Sequence, residues 1–372
     1  MKEESLMTVY NFSAGPAMLP PEVVAQIKNE LNSYKDSGMS VMEISHRSDL
    51  YEEMFQQAKA DLRDLLAVPR GYKILFLQGG ASMQFTTVPL NLARKTKQIA
   101  FVDTGHWSQT AIDDARLVPD RKVDVVSSGK DSNYTTLPYD IKLEKDYDYV
   151  HLTINNTIEG TMYRKLPDLA GQTIVGDISS NILGYQHDVQ KYGLLYASAQ
   201  KNIGPAGLTL VIVKEDLLDH NQDLPSMLDY VKLIKRDSNL NTPPVFPIYA
   251  AGLVFKWLKA KGGVKQMQLQ NELKTKLVYD VLDNSTLFNA TANKTDRSLT
   301  NIPFTTGNKE LDEKFITNAT KAGLVNLRGH ALVGGMRASM YNAFPLEGTH
   351  ALVDFIKEFE RSERPVFAFQ NN

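Results

Sequence analysis

Lys201 stands among small residues, in the stretch Ala197-Ser198-Ala199-Gln200-Lys201-Asn202, between two apolar runs at 193–198 and 207–213. Both runs have the pattern of buried strands. A lysine is seldom buried unless it is paired or chemically employed, so this one is either a solvated loop residue or a reactive amine at the floor of a site. Asp177 closes an earlier apolar run, Gln172-Thr173-Ile174-Val175-Gly176-Asp177. A carboxylate there is costly without a cationic or N–H partner. Capping a following helix would supply one kind of partner; a protonated ring nitrogen would supply another.

Three further features follow apolar runs. Gly79-Gly80-Ala81-Ser82 follows 72–77 and opens a helical stretch. The free N–H groups and dipole of such a helix start suit a phosphate, although the spacing is neither G-x-G-x-x-G nor a Walker A loop. Trp107, preceded by His106, follows 98–103 and could stack on a flat ring or fill a core. Thr157 follows 147–153 and offers a neutral hydroxyl, or simply caps a turn. In an open parallel sheet, ligands bind beyond the carboxyl ends of the strands, where all five features lie. A phosphate cradle, a ring stacker, a hydroxyl, a carboxylate for a ring N–H and an amine for an aldehyde together describe pyridoxal 5'-phosphate. That cofactor needs a lysine to hold its aldehyde and an acid opposite its ring nitrogen.

The elements that must position these residues alternate along the chain. Apolar runs at 72–77, 98–103, 122–126, 147–153, 172–177, 193–198 and 207–213 are separated by helix-length amphipathic segments. Their continuous apolarity predicts a mostly parallel seven-stranded sheet wrapped by helices, an α/β fold. Helices are expected around 21–34 and 51–66 from apolar residues at three- and four-residue intervals. The texture changes after Gly262-Gly263, where one long helix precedes strand, helix, strand and helix patterns. We therefore expect a large domain over 16–262 and a smaller α+β domain over 263–372, with the segment 1–15 packing near the latter.

Bulk composition excludes several classes. With 372 residues, a net charge of -2 and no run of like charges, the chain has no signature of nucleic-acid binding. The start, Met1-Lys2-Glu3-Glu4-Ser5, lacks the apolar core of a signal peptide, and no uninterrupted apolar run is long enough to span a bilayer. The absence of cysteine removes disulfides, thiolate metal sites and thiol nucleophiles, and fits a cytoplasmic location. Seven histidines are scattered without the paired spacing of a metal site, so no metal is expected. His151, His187, His220 and His350 have the character of structural or surface residues.

Longer stretches carry a resemblance. Asn11-Phe12-Ser13-Ala14-Gly15-Pro16, Ser45-His46-Arg47-Ser48, Gly79-Gly80-Ala81-Ser82, Gly176-Asp177-Ile178-Ser179-Ser180, Ala199-Gln200-Lys201-Asn202-Ile203-Gly204-Pro205 and Gly334-Gly335-Met336-Arg337-Ala338-Ser339 closely resemble the phosphoserine aminotransferase family of class V, fold-type I enzymes. The likeness runs from about 9 to 360. It implies that Lys201 is the lysine bonded to the cofactor aldehyde, Asp177 the partner of the pyridine nitrogen, Trp107 the stacking ring and Thr157 the donor to the phenolic oxygen. Ala81, Ser82 and Gln200 match positions holding the cofactor phosphate. Asn241 and Thr242 match positions that reach it from the neighbouring subunit, so a homodimer is implied. Arg337 matches the clamp for the substrate α-carboxylate. His46 and Arg47, supplied across the interface, together with His330, match contacts to the distal phosphate or carboxylate.

A guanidinium binds such anions as a bidentate fork. The implied reaction moves an amino group from glutamate to 3-phosphohydroxypyruvate in serine biosynthesis, or to a related keto acid of vitamin B6 synthesis. Two positions depart from the family. Gly329-His330-Ala331 stands where many members have Gly-His-Arg, with Arg328 upstream as a possible substitute, and Ser82 stands where some members carry arginine. Rival assignments are a glyoxylate-type class V aminotransferase with a non-phosphorylated acceptor and a nicotinamide-dependent dehydrogenase, which the missing G-x-G-x-x-G disfavours. A cysteine desulfurase fails for want of a thiol.

Overall fold

The structure is a computed structural model that describes residues 8–221 and 223–363. Its strands are β1 (Tyr10–Asn11), β2 (Tyr72–Leu77), β3 (Gln98–Asp103), β4 (Lys122–Ser128), β5 (Tyr149–Thr153), β6 (Ile174–Asp177), β7 (Leu194–Ser198), β8 (Thr209–Lys214), β9 (Asn289–Ala290), β10 (Asn301–Thr305), β11 (Leu324–Val325) and β12 (Met336–Ser339). Its helices are α1 (Pro21–Glu30), α2 (Asp49–Leu65), α3 (Gly80–Leu92), α4 (His106–Arg116), α5 (Tyr230–Lys235), α6 (Val245–Ala260), α7 (Gly263–Asp283), α8 (Lys309–Lys321) and α9 (Leu346–Glu363).

The seven apolar runs form one sheet in the order β2-β8-β7-β6-β5-β3-β4. The pairs from β7 to β4 are parallel, whereas β8 runs antiparallel to both β2 and β7. Every residue of β5, β6 and β7 is buried, as expected of strands covered on both faces. Successive residues of a strand face opposite sides. Phe76, Val102, Leu152, Leu195 and Ile212 accordingly join a core with α2 and α6. Leu75, Phe101, Tyr149, Val175, Leu194 and Val211 join a second core with α3, α4 and α5.

A third core lies against α7, α8 and α9, around a small sheet ordered β12-β10-β9. The N-terminal segment packs there: Tyr10 and Asn11 pair in parallel with Leu324 and Val325, and Phe12 is part of that core. Residues 1–7 and 364–372, the outer ends of the two expected segments, lie outside the described residues. Arg297 is clamped in this layer. Its guanidinium makes two hydrogen bonds to Asp283, at 2.9 and 2.6 Å, and lies 4.3 Å from the centre of the Tyr279 ring.

A buried polar network joins the third core to the large sheet. Asn155 Nδ2 donates to Ser180 Oγ at 2.7 Å and to Asn301 Oδ1 at 3.0 Å, while Ser298 Oγ donates to Asn155 Oδ1 at 2.6 Å. Asn301 Nδ2 reaches Ser339 Oγ and the Tyr341 hydroxyl, which itself donates to the Ala14 carbonyl. Nearby, the buried Lys274 amine donates to the carbonyls of Tyr341 and Phe344, at 2.8 and 3.1 Å. Among the described residues no helix is long and apolar enough to cross a membrane.

Candidate active site

Parallel register sets the ends of three strands side by side. Thr153, last in β5, pairs with Asp177, last in β6, which pairs in turn with Tyr196 of β7. Their carboxyl ends open into one cavity lined by Ala81, Ser82, Phe85, Trp107, Thr153, Asn155, Thr157, Asp177, Ser179, Ser180, Ser198, Gln200 and Lys201. Seven residues singled out from sequence therefore meet here: Ala81, Ser82, Trp107, Thr157, Asp177, Gln200 and Lys201.

The amine of Lys201 donates to Thr157 Oγ1 at 2.7 Å and lies 5.8 Å from the centre of the Trp107 ring. By exposed area Lys201 is half-buried, yet protein crowds its amine enough that desolvation pulls the pKa down to about 8. The Arg337 charge lowers it further, and Asp177 and Glu159 oppose the fall. Asp177 is buried and its pKa is raised, again chiefly by desolvation, against hydrogen bonding from Ser179 and the Lys201 charge. Its Oδ1 accepts the Ser179 N–H at 2.9 Å. Burial thus outweighs the mutual attraction of the two groups, and the carboxylate remains short of positive charge.

The start of α3 at the cavity is built by backbone geometry. Gly79 takes φ 93° at the start of α3, in the left-handed region that glycine enters without a Cβ penalty. The turn presents Ala81 N–H to Ser198 Oγ at 2.7 Å. Ser82 is exposed on the same first turn. Two buried donors near the cavity have no partner among the described residues, Thr153 Oγ1 and Arg337 Nε. An amine beside an indole, an under-compensated carboxylate on the floor, a helix start and an unpartnered hydroxyl are the donor set that pyridoxal 5'-phosphate requires. The residues fit it.

Arg337 sits on β12, with Nη1 at 3.5 Å from the Thr157 carbonyl oxygen, so its guanidinium faces the loop that holds Lys201. His330 lies on the loop before β12, its ring centre 5.5 Å from that of His106. Asn241, Thr242, His46 and Arg47 do not line the Lys201 cavity. Asn241 and Thr242 are exposed in the segment before α6, with Asn241 lining a separate cavity beside Gly79; His46 and Arg47 occupy the turn before α2. Arg328, considered above as a substitute at the distal anion, is engaged elsewhere: both its Nη atoms donate to the Glu313 carboxylate on the surface.

Sequence reasoning missed Glu159. This buried carboxylate accepts the His106 N–H at 2.8 Å, and a Cβ on Gly105 would sit 2.3 Å from its Cδ. Gly105 is therefore needed for Glu159 to reach the start of α4. Also missed was the support beneath Asp177, where His151 Nε2 and the Tyr196 hydroxyl lie 2.8 Å apart.

Fold and site together define a class V aminotransferase, and the family model for aminotransferase class V matches residues 9–352. The chain is 52% identical over 359 residues to phosphoserine aminotransferase of Lactiplantibacillus plantarum, covering 96% of this chain and 100% of that one. It superposes on the phosphoserine aminotransferase structure of Bacillus circulans subsp. alkalophilus with a TM-score of 0.91 at 43% identity, covering 95% and 99% of the two chains. For the pyridoxal-phosphate-bound enzyme of Trichomonas vaginalis the TM-score is 0.89 at 37% identity, covering 94% and 99%. The chain belongs to the phosphoserine aminotransferase family.

Proposed function

We propose that the protein carries out reversible transamination between L-glutamate and 3-phosphohydroxypyruvate, giving 2-oxoglutarate and O-phospho-L-serine, as a step of serine biosynthesis. The observation that carries this function is the meeting of the Lys201 amine, the Asp177 carboxylate and the Trp107 ring in one cavity of a chain of this family. Bound pyridoxal 5'-phosphate supplies an aldehyde that carries the amino group and a ring that withdraws electrons from the reacting carbon.

The protein's own residues do the rest. Thr157 holds Lys201 Nζ in place. With a pKa near 8, that nitrogen is neutral in a useful fraction of molecules, so it can take a proton at the substrate carbon and return it. Asp177 would keep the ring nitrogen of the bound cofactor protonated, and Trp107 would pack beside the ring. Ala81, Ser82 and Gln200 hold the cofactor phosphate, joined by Asn241 and Thr242 from a second subunit. Arg337 forks the α-carboxylate. His330, with His46 and Arg47 across the interface, faces the distal anion. The exposed positions of Asn241, Thr242 and Arg47, away from the cavity, support a homodimer that completes the site. We further assign a large domain over 16–262, a small one over 263–372 and a cytoplasmic location.

The test is an assay of purified protein with glutamate and 3-phosphohydroxypyruvate, run beside alanine and glyoxylate. Formation of O-phosphoserine is expected. None, despite bound cofactor, overturns the substrate assignment and leaves the aminotransferase class standing.

A further inference from the structure

Three contacts run outward from the reactive amine. Lys201 Nζ lies 5.8 Å from the Trp107 ring, Trp107 lies 5.0 Å from the His106 ring, and His106 lies 5.5 Å from His330. The two histidines come from separate elements, the first turn of α4 and the loop before β12. Glu159 already occupies the backbone N–H of His106, and no hydrogen bond engages the His106 ring among the described residues. His330 Nδ1 is taken up weakly by the Leu332 N–H at 3.4 Å, which leaves Nε2 free.

The guanidinium groups nearby are committed elsewhere. Arg328 is paired with Glu313, and position 331 is an alanine. Arg337 is needed for the α-carboxylate in the function proposed above. Beyond Lys201 and Arg337, the cationic capacity that this chain itself places beside Trp107 is the imidazole of His106, with that of His330 next to it.

We propose that His106 is a further substrate-binding residue, forming with His330 an imidazole pair that grips the distal anion of the acceptor and takes up a proton as it does so. The inference rests on the phosphorylated acceptor proposed above. Burial and the positive charge beside it disfavour protonation of the His330 imidazole, and an anion placed against it favours protonation. A dianion between the two rings stabilises charge on both, and binding is thereby linked to protonation. Burial, then the charges of His106 and Arg337, hold His330 below the ordinary imidazole range. The other charged groups on the elements packed here are Glu159, whose second oxygen has no partner among the described residues, Lys201, and Asp103, which Ser108, Ser128 and Tyr134 engage. His46 and Arg47 of a second subunit join them in the proposed dimer.

The test measures KM and kcat for 3-phosphohydroxypyruvate from pH 6.5 to 8.5 in the wild type, His106→Gln and His106→Arg. The wild-type KM is expected to rise with pH while kcat changes less. His106→Gln should raise KM about tenfold at the low end and flatten the profile, the size expected for one charged hydrogen bond. His106→Arg should hold KM low throughout, since guanidinium does not titrate, and this variant also controls for misfolding. Sulfate, dianionic across the range, is the second probe: calorimetry in buffers of different ionisation enthalpy should show proton uptake in the wild type and less in His106→Gln. A flat KM profile that His106→Gln leaves unchanged, or sulfate binding without proton uptake, overturns the inference. A wild type that ignores the phosphorylated acceptor overturns the parent function, and the sulfate measurement still decides the histidine pair.

Discussion

Lys201 Nζ donates to Thr157 Oγ1 at 2.7 Å, so the amine is aimed by a residue from the far side of β6 rather than merely enclosed. Thr157 lies four residues past the end of β5, on a loop whose Asn156, Gly160 and Thr161 are tied together by backbone hydrogen bonds. Any disturbance of that loop therefore reaches the reacting nitrogen directly.

Replacing Lys201 with alanine should lower turnover by at least about a thousandfold, within the range of losing both an attachment point and a proton carrier. Stopped-flow and steady-state assays of the purified variant check this. Full activity would sink the assignment of the amine.

Cofactor capture gives a pH signature. Only the neutral amine attacks an aldehyde, and the Lys201 pKa is pulled down to about 8. The rate at which cofactor-free protein takes up pyridoxal 5'-phosphate should climb with pH and level off above about 8. A midpoint near the ordinary lysine value of ~10.4 would mean that the amine sits in water.

Asp177→Asn should separate activity from stability. The folded pKa of this carboxyl is raised, so its ionised form opposes folding at pH values above that pKa and ceases to do so as pH falls through it. The amide retains an oxygen for the Ser179 N–H. Cofactor-free Asp177→Asn should melt no lower than wild type at pH 7.5, and about 1–3 °C higher if the relief is near 1 kcal/mol. Its turnover should fall by about a hundredfold or more. A variant that melts much lower yet works normally would contradict both halves.

Lys274 supplies a second titration. Its burial lowers the amine pKa to about 7, so the unfolded chain binds more protons than the folded one between that pH and the ordinary lysine range. Stability from this group therefore rises as pH climbs through that window. In Lys274→Met the wild-type rise in Tm between pH 7 and 9 should shrink, measured by calorimetry across the range.

Arg297→Ala should cost about 1–3 kcal/mol in denaturant unfolding, because it leaves the partly buried Asp283 carboxylate with Lys294 as its remaining cationic partner and removes the stack on Tyr279. Arg297→Lys should cost less but stay destabilising, since an ammonium cannot reproduce the two parallel bonds.

Much of this architecture was legible in the chain because fully buried strands leave unbroken apolar runs. Boundaries slipped by about two residues: the run at 147–153 yields a strand at Tyr149–Thr153, and that at 172–177 yields Ile174–Asp177. The first helix was read to 34 but ends at Glu30, and Tyr34–Asp36 forms a separate tight turn. The reversed direction of β8 was not legible, since an apolar run carries no polarity. The contacts of Glu159 and Arg328 were equally hidden. Each depends on a partner distant in sequence, Gly105 in space for one and Glu313 for the other, and neither residue type announces it.

Asn155 and Asn301 hold the small sheet to the large one through amides and hydroxyls instead of through grease. Such bonds tolerate little rotation, and turning one layer by a few degrees would break several together. Arg337, paired with Pro303 two residues beyond Asn301, rides on that latch. The placement of its guanidinium against the Thr157 loop is accordingly digital rather than sliding: the side chain is either seated or off its mark.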